Sequence, residues 1–150
     1  MNRTTTLIVQ AALLFGVIVL PQPERAAQLE KAIVRGRAIE NGFLLADVAE
    51  RYAESHGGTY GATVYNYAGY LPLEQPLMNA VSQLLTEPVD GQAASGGQVG
   101  YVPINVQGYD VGYSITVFGV DNTVGPAGNG IILEIQKVTD PPPMPASVPD

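Results

Sequence analysis

An apolar run from Leu7 to Leu20, broken only by Gln10 and Gly16, follows a short polar opening that carries Arg3, and some thirty residues of helix formers come after it. Few folds accommodate such a beginning. As a helix, these fourteen residues span about 21 Å, short of the ~30 Å hydrocarbon layer of a bilayer. The run is therefore a signal-peptide core, a short anchor, or a segment destined for a protein interior. A secretory signal ends in small residues, whereas Pro21, Gln22, Pro23, Glu24, Arg25, Ala26 and Ala27 follow here. Cleavage after Ala26 or Ala27 puts Glu24 or Arg25 where a signal peptidase takes a small side chain. An uncleaved anchor is expected ahead of a cleaved signal, and both send the rest of the chain out of the cytoplasm.

From Glu24 to about Ser55, Leu29, Ile33, Val34, Ala38, Leu45, Val48, Ala49 and Tyr52 recur at three- and four-residue steps, which predicts a long amphipathic helix weakened at Gly36 and Gly42. Pro21 and Pro23 suit its first turn or a kink, since neither supplies the N–H that a helix interior needs. His56, Gly57 and Gly58 end it, glycine being free to take the left-handed cap conformation. Residues 59–96 show no steady period and read as a loop-rich connection with one short amphipathic turn near Leu77 to Leu85. Its tyrosines, Tyr60, Tyr65, Tyr67 and Tyr70, are expected to pack, with core packing ahead of a subunit contact.

After Gly96 and Gly97 the period becomes two. Val102, Ile104 and Val106 alternate with Pro103, Asn105 and Gln107; Tyr113, Ile115 and Val117 follow, then Ile131, Leu133 and Ile135. These strands, separated by Gly108 and by a Gly-rich loop from Asp121 to Gly130, predict an antiparallel meander with Pro103 placing the first strand at an edge. One sheet face needs a cover, and the long helix is the amphipathic element large enough to provide it. The fold class is thus α+β: a long N-terminal helix, apolar stalk plus amphipathic part, packed on a small three- to four-stranded antiparallel sheet. The expected division is 1–23 as the apolar segment, 24–138 as amphipathic helix plus sheet head, and 139–150 as a Pro-rich tail without a fold of its own.

The net charge is −7, and past Arg51 nine acidic residues face Lys137 as the one base, which argues against nucleic acid as a partner. The chain has no cysteine, so disulfides, thiolate metal sites and cysteine nucleophiles are excluded by inventory. His56, the one histidine, sits beside glycines at a helix end, and no phosphate loop, nucleophile elbow or metal-spaced set is present. No catalytic residues are assigned and a non-enzyme is expected. Asp110, Asp121 and Asn122 offer oxygens of the kind calcium takes from flexible loops. Turn formation accounts for the same residues, so no cofactor is expected, with calcium as the alternative.

The order of these pieces resembles type IV pilin-like proteins, especially the major pseudopilins of type II secretion. Tyr52-Ala53-Glu54-Ser55-His56-Gly57-Gly58-Thr59-Tyr60 is similar to that family's helix end, while Gly97-Gln98-Val99-Gly100-Tyr101 and Gly112-Tyr113-Ser114-Ile115-Thr116-Val117-Phe118-Gly119 resemble its paired strands. The resemblance covers about residues 7–137 and implies a structural filament subunit. Such a subunit would rest in the inner membrane with its head outside the cytoplasm and assemble with copies of itself through Leu7, Ile8, Val9, Leu13, Leu14, Val17, Ile18, Leu20 and Pro21. The chain departs from the family where Thr6-Leu7-Ile8 runs into Val9 and Gln10 in place of a buried glutamate, with no glycine–phenylalanine pair before it. That departure points to the alternative, a membrane-anchored or secreted envelope module that binds without polymerising.

Overall fold

A computed structural model describes residues 22–71, 77–82, 88–119 and 130–141. The assembly residues Leu7 to Pro21, the calcium candidates Asp121 and Asn122, and the tail beyond residue 141 lie outside them. Helix α1 spans Gln22–Ser55, 34 residues. The chain divides into two compact units between Ile33 and Val34. In the first, helical residues 23–33 are all exposed, Leu29 and Ile33 included.

In the second unit, α1 from Val34 onward buries Ala38, Leu45, Ala46, Val48, Ala49 and Ala53 in one cluster with Val99, Tyr101, Tyr113, Ile115 and Val117 of the sheet. Small side chains at 38, 42, 46, 49 and 53 fall on one ridge, because three- and four-residue steps share a helix face. Leu45, Val48 and Tyr52 form the adjacent bulkier row. Gly42 marks the tightest approach: a Cβ there would stand 2.6 Å from Val117 Cγ2 and 3.2 Å from Leu133 Cδ2. The glycine that weakens the isolated helix is what lets the helix seat.

The helix ends as its glycines dictate. Gly57 and Gly58 take φ of 66° and 87°, and the Gly58 N–H donates to the Ala53 carbonyl at 2.8 Å, closing a Schellman turn. A 3-10 turn, Val64–Tyr67, follows. Strands β1 (Val89–Asp90), β2 (Val99–Val106), β3 (Tyr109–Phe118) and β4 (Ile131–Val138) form one sheet in the order β1-β2-β3-β4. Gln107 and Gly108, both at positive φ, make the two-residue turn between β2 and β3, with the Gly108 N–H donating to Asn105 Oδ1 at 3.0 Å.

Two expectations need correction. The sheet is mixed rather than wholly antiparallel, because β1 pairs parallel to β2 through Val89↔Gly100 and Asp90↔Tyr101. Two residues carry no period, so the strand was hidden in what reads as connection. After β1 the chain turns at Gly91 (φ 101°) and passes over Gly100, where a Cβ would lie 2.2 Å from the Ala93 nitrogen. The buried Thr116 Oγ1 holds this crossing by accepting the Ala93 N–H at 2.9 Å. The second correction concerns β2, which begins at Val99: its buried residues are Val99, Gly100 and Tyr101, while Val102 is exposed. Pro103 keeps its edge character, since β1 reaches only as far as Tyr101.

The two helix glycines therefore respond oppositely to alanine. Gly36→Ala meets nothing within 4 Å and should stabilise the protein by about 0.5–1 kcal/mol through helix propensity. Gly42→Ala gains the same propensity yet should destabilise by about 1–3 kcal/mol through overpacking against Val117. Denaturant unfolding of the two variants reads both signs, and equal effects would contradict the seating described.

Candidate functional site

Glu50 lies on α1 beside the buried row, and the sheet presents its carboxylate with three donors. The Tyr113 hydroxyl of β3 donates to Oε1 at 2.8 Å, the Tyr60 hydroxyl donates to Oε2 at 3.2 Å, and the Lys137 ammonium of β4 pairs with Oε2. One anion thus joins the helix, the loop after it and two strands. Partial burial by itself raises the Glu50 carboxyl, but hydrogen bonds from Lys137 and Tyr113, with the attraction of the ammonium, carry it below its ordinary 4.5. Burial and the neighbouring carboxylate push the Tyr60 hydroxyl up. Burial and its hydrogen bond to Glu50 push Tyr113 up further, and the ammonium's own hydrogen bond to Glu50 raises Lys137. Every shift favours the form already present near neutrality, so the cluster holds its protons rather than exchanging them.

A second polar assembly lies deeper. The Gly61 N–H meets Tyr67 Oη at 2.9 Å, Tyr67 Oη meets Tyr101 Oη at 2.6 Å, and the Tyr101 hydroxyl donates to the Gly61 carbonyl at 2.6 Å. Tyr67 and Tyr101 are fully buried, and burial raises both hydroxyls above their ordinary range. The rings pack edge to face, with centroids 5.1 Å apart, and Tyr52 approaches Tyr67 in the same manner at 5.3 Å. The tyrosines expected to pack do so, except Tyr65, which is exposed.

His56 stacks on Tyr52 at 3.8 Å between ring centroids, and its Nδ1 lies 2.8 Å from the Tyr52 carbonyl and 3.0 Å from Ser55 Oγ. Ser55 Oγ reaches Tyr70 Oη at 2.9 Å. Among the described residues no third acid or base orders this pair, and the contacts fasten the helix end to the following loop. Asp110 accepts from Asn105 Nδ2 at 3.0 Å, within the β2–β3 hairpin, and its carbonyl accepts the Tyr60 N–H at 2.9 Å, tying the hairpin to the loop after α1. No group of three or more His, Cys, Asp or Glu residues that could hold a metal occurs among the described residues. Among them, too, no helix is long and apolar enough to cross a membrane. Compared with protein-family models, with curated proteins and with solved structures, the chain finds no match.

Sequence reasoning picked out neither Glu50 nor Lys137, because nothing local marks two residues that lie 87 positions apart. The one available signal was Lys137 itself, the lone base after Arg51 in an acidic stretch.

The Glu50 hub sets a pH window. A carboxyl held below its unfolded value contributes fully above that value and loses its contribution as pH falls through the folded one; a raised ammonium loses its contribution as pH rises through its own. Glu50→Ala should therefore cost about 1–2 kcal/mol between roughly pH 5 and 10, and the gap to the parent protein should shrink at both extremes. Urea unfolding across pH measures it; a gap that does not change in acid would rule out the charge-assisted tie.

Proposed function

We propose that the chain is a structural, non-catalytic subunit of a pilus-like or pseudopilus filament, assembling through its apolar N-terminal segment. The observation that carries this reading is the division of labour along α1. From Val34 onward the helix is fixed to the sheet, and residues 23–33 are exposed directly after an apolar run. An exposed helical segment joined in sequence to a well-packed head gives copies of the chain something to share besides the head. Burying the Leu7–Leu20 run among neighbours would contribute on the order of 10 kcal/mol per subunit at ~25 cal/mol per Å². The chemistry of the head supports the non-catalytic part, since Glu50, Tyr60, Tyr113 and Lys137 are tied to one another in their resting forms.

The second reading is a membrane-anchored or secreted module that binds without polymerising. Gln10 favours it, because within the apolar run an amide can accept hydrogen bonds but cannot neutralise a buried amine.

Electron microscopy of the protein expressed with its N-terminal segment intact distinguishes the two. Fibres are expected, and Leu13→Asp or Val17→Asp should abolish them while leaving the unfolding of the head unchanged. A mature protein that begins after Ala27 and stays monodisperse would end the filament reading.

A further inference from the structure

Strand β4 ends the sheet on one side, pairing with β3 alone. The Thr139 N–H donates to the Val111 carbonyl at 2.8 Å, which turns the odd-numbered residues of β4 toward β3 and leaves Glu134, Gln136 and Val138 with N–H and C=O pointing outward. Among the described residues none of these outward groups has a backbone partner. Such a row is a template for another strand unless something blunts it. The opposite edge is blunted, since β1 covers β2 only as far as Tyr101 and Pro103 beyond it brings no donor. On β4 the residue suited to guard the edge is Lys137, and its ammonium is drawn back over the sheet to Glu50. Apolar surface is left beside the edge. Val138 is 55% exposed, and Phe43, two turns before Glu50 on the same flank of α1, is 56% exposed.

The order of side chains along β4 says what covers it. When the strand lies antiparallel to the β4 of a second copy with Ile135 on the two-fold axis, Glu134 stands opposite Gln136 twice, Leu133 opposite the aliphatic stem of Lys137 twice, and Ile135 opposite its own copy. Carboxylate meets amide donor, and apolar meets apolar. Centring the axis on Glu134 would set two carboxylates face to face; centring it on Gln136 would set Glu134 against Val138. In the Ile135 register the outward N–H and C=O of Glu134 and Gln136 exchange hydrogen bonds with those of the second copy, over residues 133–137. The bulge of β4 opposite Phe118 lies just outside that ladder.

We propose that a second copy of this chain pairs with β4 edge to edge, antiparallel and centred on Ile135, joining the two four-stranded sheets into one. The contact goes beyond the filament reading, since it requires nothing of residues 7–20.

The chain has no cysteine, so introduced thiols report the register. In the full-length protein, Glu134→Cys mixed with Gln136→Cys should give covalent heterodimer under mild oxidation, because directly opposed residues fall within disulfide reach. Neither variant alone should match the mixture. In a Val17→Asp background, which removes fibres, sedimentation should show a dimer. There Gln136→Glu should weaken it by about tenfold through two opposed pairs of carboxylates, and adding Glu134→Lys should restore it. Gln136→Cys alone cross-linking as strongly as the mixture would overturn the proposal, as would a monomer in the Val17→Asp background, failure of the double exchange to rescue, or a different polypeptide found on the edge. Val17→Asp also separates the two ideas: it should end fibres without changing the mixed cross-link.

Discussion

The close seating of α1 on the sheet is the constraint from which the rest of the head follows. A ridge of alanine and glycine brings the helix backbone near enough for Val117 and Leu133 to fill the space a side chain would take at Gly42. Close-packed interiors respond to single methyl groups. That proximity decides where everything else goes: Leu45 and Val48 reach the buried sheet residues, and Glu50 comes within reach of three strand and loop donors. A helix held further off by larger side chains would leave the carboxylate in water and the sheet face open.

Around this contact the head is finished with tyrosine rather than with aliphatic bulk. Tyr60, Tyr67, Tyr101 and Tyr113 supply area, and each hydroxyl has a partner. The arrangement suits a connection that must cross from the helix end to the sheet edge over residues with little aliphatic content. Buried hydroxyls are costly when unpaired and harmless when paired, and among the described residues no buried side-chain nitrogen or oxygen lacks a partner. The result ties residues 60–67, which carry a single 3-10 turn, to the sheet.

Periodicity carried the parts of this architecture that are long and local. The recurrence of Ala38, Leu45, Val48 and Ala49 shows a helix face, and Tyr113, Ile115 and Val117 show an inward strand face, because each pattern is repeated within one element. Strand β1 is two residues and repeats nothing. The inward place of Tyr101 depends on a hydroxyl partner 34 residues away, and Glu50 depends on Tyr113 at a separation of 63. Such features exist only once the elements meet. The glycines are instructive from the opposite side: Gly42 and Gly36 look alike as helix weaknesses, and only the packed structure separates the one that the sheet requires from the one that it does not.

The hydroxyl ring at Gly61 has a consequence of its own. A backbone N–H can only give a proton and a carbonyl can only take one, so a closed circuit running through both admits a single direction of travel. The Tyr67 proton must aim at Tyr101 and the Tyr101 proton at the Gly61 carbonyl, with no alternative orientation left to either rotor. Two hydroxyls that would ordinarily sample several positions are thereby frozen into one, and any movement of the loop at Gly61 must break the circuit at two points together.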